Sequence, residues 1–369
     1  MMFEIGILIA VILLAYANGA NDNFKGTATL WGSGTLTYEK ALRLATVTTV
    51  AGALVSVFFA TTLVKNFSGK GLVPDTLAQS PIFLLSVALG AGLTVLLATR
   101  FGFPISTTHG LVGALVGAGF AGAANSVNIS QLGKTFFLPL VLSPVLAMIA
   151  SVVVYLIFKR VRELLKIKQE GCICVVQEPS VTTPSYVPLA MSATPKIVAS
   201  TEGCDEMYVG KIVGINAQSL LNGLHYLSAG TVCFARALND APKMAGLLIA
   251  VSFFTPSVNI SILAIAMAVG GVLQARKVAE TMSRNITPMN HGQGFSANLV
   301  TGILVILAST RGLPVSTTHV SVGSLIGIGL VNGKADFSQI GKILLSWLLT
   351  LPIAAILSGV FYFIFHSVQ

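Results

Sequence analysis

A polar stretch interrupts an apolar segment near the start of this chain, and it constrains the fold more than any other feature. It covers residues 18–26, Asn-Gly-Ala-Asn-Asp-Asn-Phe-Lys-Gly, after a run at residues 3–17 that consists mostly of Ile, Leu, Val and Ala. A charged side chain at bilayer depth costs roughly 2.5–3.5 kcal/mol on insertion scales, so it needs a partner or a function. Residues 238–243 repeat the Asn-Asp-x-x-Lys pattern. Both interruptions must therefore be explained together.

The composition indicates an integral membrane protein. Of the 369 residues, 54% are hydrophobic and only 9% are charged, whereas soluble domains carry about 25% charged residues. Long apolar segments favour a helical bundle in the lipid bilayer over a β-barrel. The net charge of +9 is scattered over loops, without the basic stripe interleaved with aromatics that is expected of a nucleic-acid-binding protein.

The apolar runs of the first half predict a mixture of complete and incomplete crossings. The run at residues 3–17 is short for a crossing, so we expect a discontinuous helix that continues through the polar stretch into residues 27–36. Residues 110–124 are rich in small side chains and too short to cross, which favours a re-entrant hairpin. The complete crossings predicted in this half are residues 41–64, 81–99 and 135–158.

A polar segment separates two membrane halves. Residues 1–158 form the first predicted membrane repeat, residues 159–211 a linker, and residues 212–369 the second repeat. Lys and Arg cluster at the membrane-proximal start of the linker, which predicts that the linker is cytoplasmic. The first residues of the linker are also compatible with an extension of the preceding helix.

The two halves carry the same motifs in the same order. Asn-Asp-x-x-Lys contains Asp22 in one half and Asp240 in the other, and Pro-x-Ser-Thr-Thr-His begins at Pro104 and at Pro314. Paired interrupted segments in corresponding halves are typical of a transporter site at the bilayer midplane. An odd number of crossings per half would make the repeats inverted, and a cytoplasmic linker would then place both termini outside. We therefore predict an all-α integral membrane protein built from two inverted-topology repeats with discontinuous helices and re-entrant hairpins.

The Ser-Thr-Thr motifs predict two helix starts that bind an anion. Proline disfavours helix at the residue before it, and Ser or Thr is a favourable N-cap. Helix N-termini present backbone N–H groups and the positive end of the dipole to anions. The alternative is that these side chains only cap the helices of two membrane hairpins and bind no anion. The candidate side chains are Ser106, Thr107, Thr108, Ser316, Thr317 and Thr318.

Two aspartates beside an anion require positive charge between them. Two unit charges 4 Å apart interact by roughly 4 kcal/mol at an effective dielectric of about 20. Cations that bridge Asp22 and Asp240 to the anion would couple the two ligands, since each would raise the affinity for the other. We expect Asn23 and unwound backbone carbonyls near Ala20 to supply further oxygen ligands for Na⁺.

Other roles for these residues stay open. Asp22 and Asp240 can instead form internal ion pairs with Lys25 and Lys243 that stabilise a bend, and both arrangements can occur at different stages of a transport cycle. The histidine that ends each Ser-Thr-Thr-His motif is a candidate ligand or proton carrier, or is held inside its helix by a backbone carbonyl.

These motifs resemble the inorganic phosphate transporter (PiT) family. Its Gly-Ala-Asn-Asp block is matched in full by residues 19–22, whereas residues 237–240 read Ala-Leu-Asn-Asp. The resemblance covers essentially the whole chain outside the linker. It implies phosphate uptake coupled to Na⁺ or H⁺, an inverted-repeat fold and, by analogy alone, a homodimer. It also implies that Asn21, Asp22, Asn239, Asp240 and the two Ser-Thr-Thr sets form the site.

The function expected from sequence is secondary active import of inorganic phosphate with Na⁺ by a multi-pass protein of the plasma membrane, without a further cofactor. The alternatives on the same fold are H⁺-coupled phosphate transport and sulfate transport. An intramembrane hydrolase is disfavoured because every candidate residue is duplicated, whereas catalysis needs one asymmetric set of roles. An anion channel would have no need of two coupling aspartates. The predicted phosphate ligands are the two Ser-Thr-Thr sets, Asn21 and Asn239, and the predicted Na⁺ ligands are Asp22, Asp240, Asn23 and Ala20.

Overall fold

The computed structural model describes residues 2–58, 61–123, 126–170, 174–176, 196–198 and 207–368. Within these ranges, seven helices have the length and apolar composition needed to cross a membrane. Many of their large apolar side chains remain exposed on the outside of the bundle. An apolar outer surface of this extent suits contact with lipid. The predicted multi-pass helical membrane protein is therefore confirmed.

The helices of the first half include one long apolar helix at each end and a central helical hairpin. A 3₁₀ turn at Ser56–Phe58 extends the third helix, and a π-helix at Leu132–Phe137 precedes the ninth. The helices are α1 Met2–Asp22, α2 Ala28–Gly32, α3 Tyr38–Val55, α4 Thr61–Phe67, α5 Asp75–Ala78, α6 Pro81–Arg100, α7 Thr107–Ala123, α8 Ile129–Gln131 and α9 Leu138–Leu164.

The second half has a similar order of long helices. A 3₁₀ turn at Gly246–Leu248 follows its first helix, and a π-helix at Thr281–Asn285 follows its third. The helices are α10 Ala217–Ala245, α11 Pro256–Gln274, α12 Arg276–Glu280, α13 His291–Thr310, α14 Thr317–Asn332 and α15 Phe337–Ser367.

The linker and the start of the second half add short strands to the helical fold. The pairs are all antiparallel: β1 Lys168–Glu170 with β4 Met207–Val209, β2 Cys174–Val176 with β3 Lys196–Val198, and β5 Lys211–Ile212 with β6 Ile215–Asn216. The all-α prediction is thus corrected to a mostly helical one. Residues 171–173, 177–195 and 199–206 of the predicted linker lie outside the described residues. The helix before the linker continues to Leu164, as its first residues allowed.

The polar stretches do not unwind their helices where we expected. Helix α1 remains helical through Gly19, Ala20 and Asn21 to Asp22, and only residues 23–27 form turns before α2. Helix α10 passes without interruption through Asp240 and Pro242. The expectation of unwound carbonyls around Ala20 is therefore wrong in this conformation. Buried polar side chains such as Asn18, Asn21 and Lys243 have partners on other elements, so the helices need not open to satisfy them.

The long helices of the two halves pack in a reciprocal pattern. Helix α1 packs against α6 and α11, and α10 packs against α13 and α3. Helix α7 packs against α15, and α14 packs against α9. Helices of each half thus pack against helices of the other half. The starts of α7 and α14 lie close together, with Thr108 in contact with the Val315 carbonyl.

A close approach between α1 and α11 depends on glycine. A Cβ atom placed on Gly270 would lie 2.0 Å from the carbonyl oxygen of Tyr16. A Cβ atom on Gly19 would lie 1.9 Å from the carbonyl oxygen of Met267. Small residues allow helix backbones to approach closely in membrane proteins. This contact holds α1, with its polar end, against the second half.

A Gly270→Ala variant is expected to be less thermostable than wild type, whereas Gly223→Ala in α10 is expected to be as stable or slightly more so. A Cβ atom at Gly223 meets nothing within 4 Å, and alanine stabilises a helix interior by roughly 0.5–1 kcal/mol relative to glycine. Overpacking at Gly270 costs roughly 1–3 kcal/mol. Thermal unfolding of the purified variants measures both effects. Equal stability of the two variants would contradict the close packing of α1 on α11.

Candidate functional site

The two Ser-Thr-Thr motifs start helices, as predicted. Helix α7 begins at Thr107, and the Ser106 hydroxyl accepts the His109 backbone N–H at 3.1 Å. Helix α14 begins at Thr317, and Ser316 accepts the His319 N–H at the same 3.1 Å distance. These N-caps follow Pro104 and Pro314, whose rings disfavour helix at the preceding residue. The first turns of both helices are buried.

Lys25 joins the first polar stretch to both helix starts. Its ammonium group forms an ion pair with Asp22 and donates to the Ile105 carbonyl at 2.9 Å. It also donates to the Thr318 hydroxyl, at the start of α14 in the other half, at 2.5 Å. The Thr318 hydroxyl in turn donates to the Ile105 carbonyl at 2.7 Å. A buried lysine thus connects a carboxylate of one half with a helix start of the other.

Lys243 makes the corresponding contacts in reverse. Its ammonium donates to Asp240 at 3.1 Å and to the Val315 carbonyl at 2.9 Å. It also donates to the Thr108 hydroxyl, at the start of α7, at 2.7 Å. Both ion pairs that the sequence left as an alternative are present in this conformation. The two aspartates, the two lysines and the two helix starts form one buried cluster.

Asn18 and Arg236 connect the two aspartates. The Asn18 side-chain amide nitrogen lies 3.1 Å from Asp22, 3.2 Å from Asp240 and 3.0 Å from the Thr107 hydroxyl. The Arg236 guanidinium donates to the Asn18 amide oxygen at 3.0 Å, and it lies 4.0 Å from Asp240. One amide therefore contacts both carboxylates, and one guanidinium orients that amide.

Asn21 and Asn239 hold the loops that lead into α7 and α14. The Asn21 amide nitrogen donates to the Phe103 carbonyl at 3.0 Å, and its oxygen accepts the Ile105 N–H at 3.2 Å. Asn239 donates to the Val315 carbonyl at 3.1 Å. The Asn21 oxygen also accepts from Lys25 at 3.2 Å, whereas the buried Oδ1 of Asn239 has no hydrogen-bond partner among the described residues.

The remaining predicted site residues lie at different distances from this cluster. Thr107 lies 3.3 Å from Asp22, and Thr317 is buried in the matching first turn of α14. Ala20 is buried in the last turns of α1. The Asn23 side chain turns toward α3, where it accepts from Thr49 at 2.7 Å and donates to Thr46 at 3.0 Å. Asn23 therefore reaches the cluster only indirectly, because Thr49 also accepts from Arg236.

The charges of the cluster do not cancel. Lys25, Arg236 and Lys243 are cationic, Asp22 and Asp240 are anionic, and all five side chains are at most 3% exposed. An isolated buried charge is strongly unfavourable, so buried charges are retained when they are paired and hydrogen-bonded. The formal balance of these five side chains is one excess positive charge.

Sequence reasoning missed Asn18 and Arg236 as site residues. Asn18 stands four residues before Asp22, and Arg236 stands four before Asp240. The two residues therefore occupy the same place in the repeated motif. Aligning the two motifs residue by residue would have identified the arginine, because an arginine inside an apolar segment needs a partner.

The motif histidines follow Thr108 and Thr318 in the first turns of α7 and α14, and their rings contact each other and Trp347. The ring centroids of His109 and His319 are 4.5 Å apart, and the His319 and Trp347 ring centroids are 3.8 Å apart with the planes tilted by 30°. His319 Nδ1 lies 3.1 Å from the Leu140 carbonyl. His319 is thus held by a backbone carbonyl, which was one of the alternatives that the sequence left open.

Similarity to known proteins covers nearly the whole chain. A protein named "Putative phosphate permease" from Pyrococcus horikoshii is 27% identical over 405 residues, spanning 96% of this chain and 97% of that protein. A protein of the same description from Haemophilus influenzae is 26% identical over 411 residues, spanning 96% and 94%. A solved structure described as "The sodium-dependent phosphate transporter" has the same fold, with a TM-score of 0.77 at 22% identity and complete coverage of both chains.

The family assignment follows from the match to a whole family. The model of the family described as "Phosphate transporter family" matches residues 18–358. This range begins at Asn18 and includes both Asn-Asp-x-x-Lys stretches and both Ser-Thr-Thr helix starts. The resemblance inferred from the motifs is confirmed, and the chain belongs to the phosphate transporter family, which comprises transporters and not enzymes.

Proposed function

We propose that this protein is a secondary active transporter that imports inorganic phosphate with Na⁺ and binds the anion near the membrane midplane between its two halves. The observation that carries this proposal is the reciprocal contact of each lysine with the opposite helix start, Lys25 with Thr318 and Lys243 with Thr108. These contacts bring the positive ends of two helix dipoles, their hydroxyls and three cationic side chains to one buried place. Such a place favours an anion.

Phosphate fits this chemistry better than sulfate. Singly or doubly charged phosphate keeps an O–H donor at neutral pH, and the carboxylates of Asp22 and Asp240 can accept it. Sulfate has no such donor, so the same carboxylates would repel it without a compensating bond. The proposed phosphate ligands are the hydroxyls of the two Ser-Thr-Thr sets, with Asn21 and Asn239 fixing the loops around them.

Na⁺ is the first candidate for the coupled ion. The solved structure that shares this fold is described as a sodium-dependent transporter, and the unpartnered Oδ1 of Asn239 is a buried oxygen beside Asp240 that suits a hard cation. Ammonium groups already contact both carboxylates in this conformation and would compete with Na⁺ for them. Proton coupling is therefore the second candidate. Asp22 and Asp240 would bind Na⁺ only after their lysines move, and Asn23 and Ala20 stay weaker candidates.

The reciprocal packing supports two inverted repeats at residues 1–158 and 212–369, joined by a cytoplasmic linker at residues 159–211. In this arrangement, the chain resides in the plasma membrane with both termini outside, and the small-residue helices α7 and α14 belong to the re-entrant hairpins. Labelling of single cysteines by a membrane-impermeant reagent tests the topology. Labelling of both termini only from the cytoplasm would refute it. A homodimer is proposed from family resemblance, and the mass of the purified protein in detergent tests it.

Uptake into proteoliposomes tests the function. Radiolabelled phosphate is expected to accumulate when Na⁺ is imposed outside, and to accumulate much less when choline replaces Na⁺. An excess of sulfate is expected to leave uptake unchanged. Accumulation that follows an imposed pH gradient and ignores Na⁺ would select proton coupling. Absence of phosphate uptake under every gradient would refute the proposal.

A further inference from the structure

We infer that the ammonium groups of Lys25 and Lys243 are built-in counter-ions that bind the anion directly, so that phosphate binding does not require Na⁺ as a bridge. This inference rests on the proposed anion site between α7 and α14. It assigns to two side chains of the protein the role that the sequence argument gave to mobile cations between carboxylate and anion.

The contacts of each lysine match this role. An ammonium group has three N–H donors, and each lysine directs them at its own aspartate, a loop carbonyl and a threonine of the other half. Lys25 also lies 3.2 Å from the Asn21 amide oxygen, which shares these donors. The first two acceptors are sufficient to hold a structural ion pair. The third reaches a hydroxyl in the first turn of the opposite helix, which is where the anion is proposed to bind.

The threonine contact is the one that an anion can replace. Thr318 accepts from Lys25 and donates to the Ile105 carbonyl at 2.7 Å. Thr108 accepts from Lys243 at 2.7 Å and contacts the Val315 carbonyl at 3.3 Å. An anion oxygen at either helix start can take the place of the hydroxyl as acceptor for the ammonium group. The threonine O–H can then rotate from the loop carbonyl to the anion, because the lysine still donates to that carbonyl. Lysine and threonine then both donate to the same ligand.

The charge balance of the cluster depends on these two lysines. With them, the five buried charges leave one excess positive charge, and replacing both by neutral residues leaves one excess negative charge. An anion in this variant would be repelled by two carboxylates and attracted by Arg236 as the one remaining cationic side chain of the five. In that variant, phosphate can bind only if cations from solution restore the balance. The dependence of phosphate affinity on Na⁺ therefore measures the positive charge that the two lysines contribute to the site.

Equilibrium binding of radiolabelled phosphate to the full chain in nanodiscs tests this inference, with choline or Na⁺ as the only salt cation. Wild type is expected to bind phosphate with a Kd that differs by less than about threefold between the two salts. The Lys25→Met/Lys243→Met variant is expected to lose at least about tenfold in affinity in choline, and to regain most of it in Na⁺. Lys40→Met, which removes an exposed lysine of α3, is the matched control and is expected to behave as wild type.

The outcomes separate this inference from the proposed function. Wild-type binding that is strong in Na⁺ and at least about tenfold weaker in choline would overturn the inference and leave phosphate transport intact. Absence of wild-type binding in both salts would overturn the proposed site as well. Unchanged, salt-independent binding by the double variant would also overturn the inference. Because the wild-type comparison needs no variant, misfolding of the double variant cannot hide the result.

Discussion

An Asp22→Asn variant is expected to lose phosphate uptake and to unfold at a lower temperature than wild type. The Asp22 carboxylate forms the ion pair with Lys25 and accepts from Asn18 at 3.1 Å. Removing one member of a buried pair typically costs about 3–5 kcal/mol, because the remaining charge is uncompensated. Proteoliposome uptake and thermal unfolding followed by tryptophan fluorescence measure the two losses.

The double variant Asp22→Asn/Lys25→Met separates stability from function. It removes both charges of the pair, so most of the lost thermal stability is expected to return. Uptake is expected to stay low, because the carboxylate and the ammonium that face the start of α14 are both absent. Recovery of uptake together with stability would show that the pair has only a structural role.

The corresponding variants of the second half test the same idea independently. Asp240→Asn is expected to behave as Asp22→Asn does, and Asp240→Asn/Lys243→Met as the first double variant, because the contacts correspond. Asp75→Asn, at an exposed position in α5, is the matched control. Wild-type uptake with wild-type Na⁺ dependence in either single aspartate variant would exclude that carboxylate from the coupling site.

The helix starts could be predicted from sequence because their causes are local. Pro104 and Pro314 restrict the residue before them, and Ser106 and Ser316 supply a capping oxygen to the N–H three residues later. The long apolar segments were also predictable, since their length and composition decide whether they can cross a bilayer. Both properties are set within about twenty residues of chain.

The path of the chain through the polar stretches could not be predicted, because it depends on partners that are distant in sequence. The Asn18 side chain hydrogen-bonds to Thr107 and Asp240, and the Asn21 side chain donates to Thr99 at 2.9 Å. With these bonds available, α1 stays helical to Asp22. A pattern of polar residues in an apolar segment indicates that partners are needed, but it cannot distinguish an opened helix from a helix whose side chains are paired.

An Arg236→Met variant is expected to lower both phosphate affinity and stability. The guanidinium donates to Asn18 at 3.0 Å and to Thr49 at 2.8 Å. Hydrogen bonds of charged groups contribute roughly 1.5–3 kcal/mol each. The substitution also removes the excess positive charge of the cluster, so the anion meets no net attraction. Phosphate binding in nanodiscs and thermal unfolding measure the two effects.

Arg236→Lys distinguishes charge from geometry at this position. An ammonium keeps the charge but is a compact donor, whereas the planar guanidinium reaches Asn18 and Thr49 with two different nitrogens. If orientation of Asn18 between the two aspartates matters, Arg236→Lys is expected to bind phosphate more weakly than wild type but more tightly than Arg236→Met. Arg43→Met, at an exposed position of α3, is the control and is expected to bind as wild type does. Wild-type affinity in Arg236→Met would mean that the anion does not sense this charge, and the excess positive charge could then no longer explain why the buried cluster accepts phosphate.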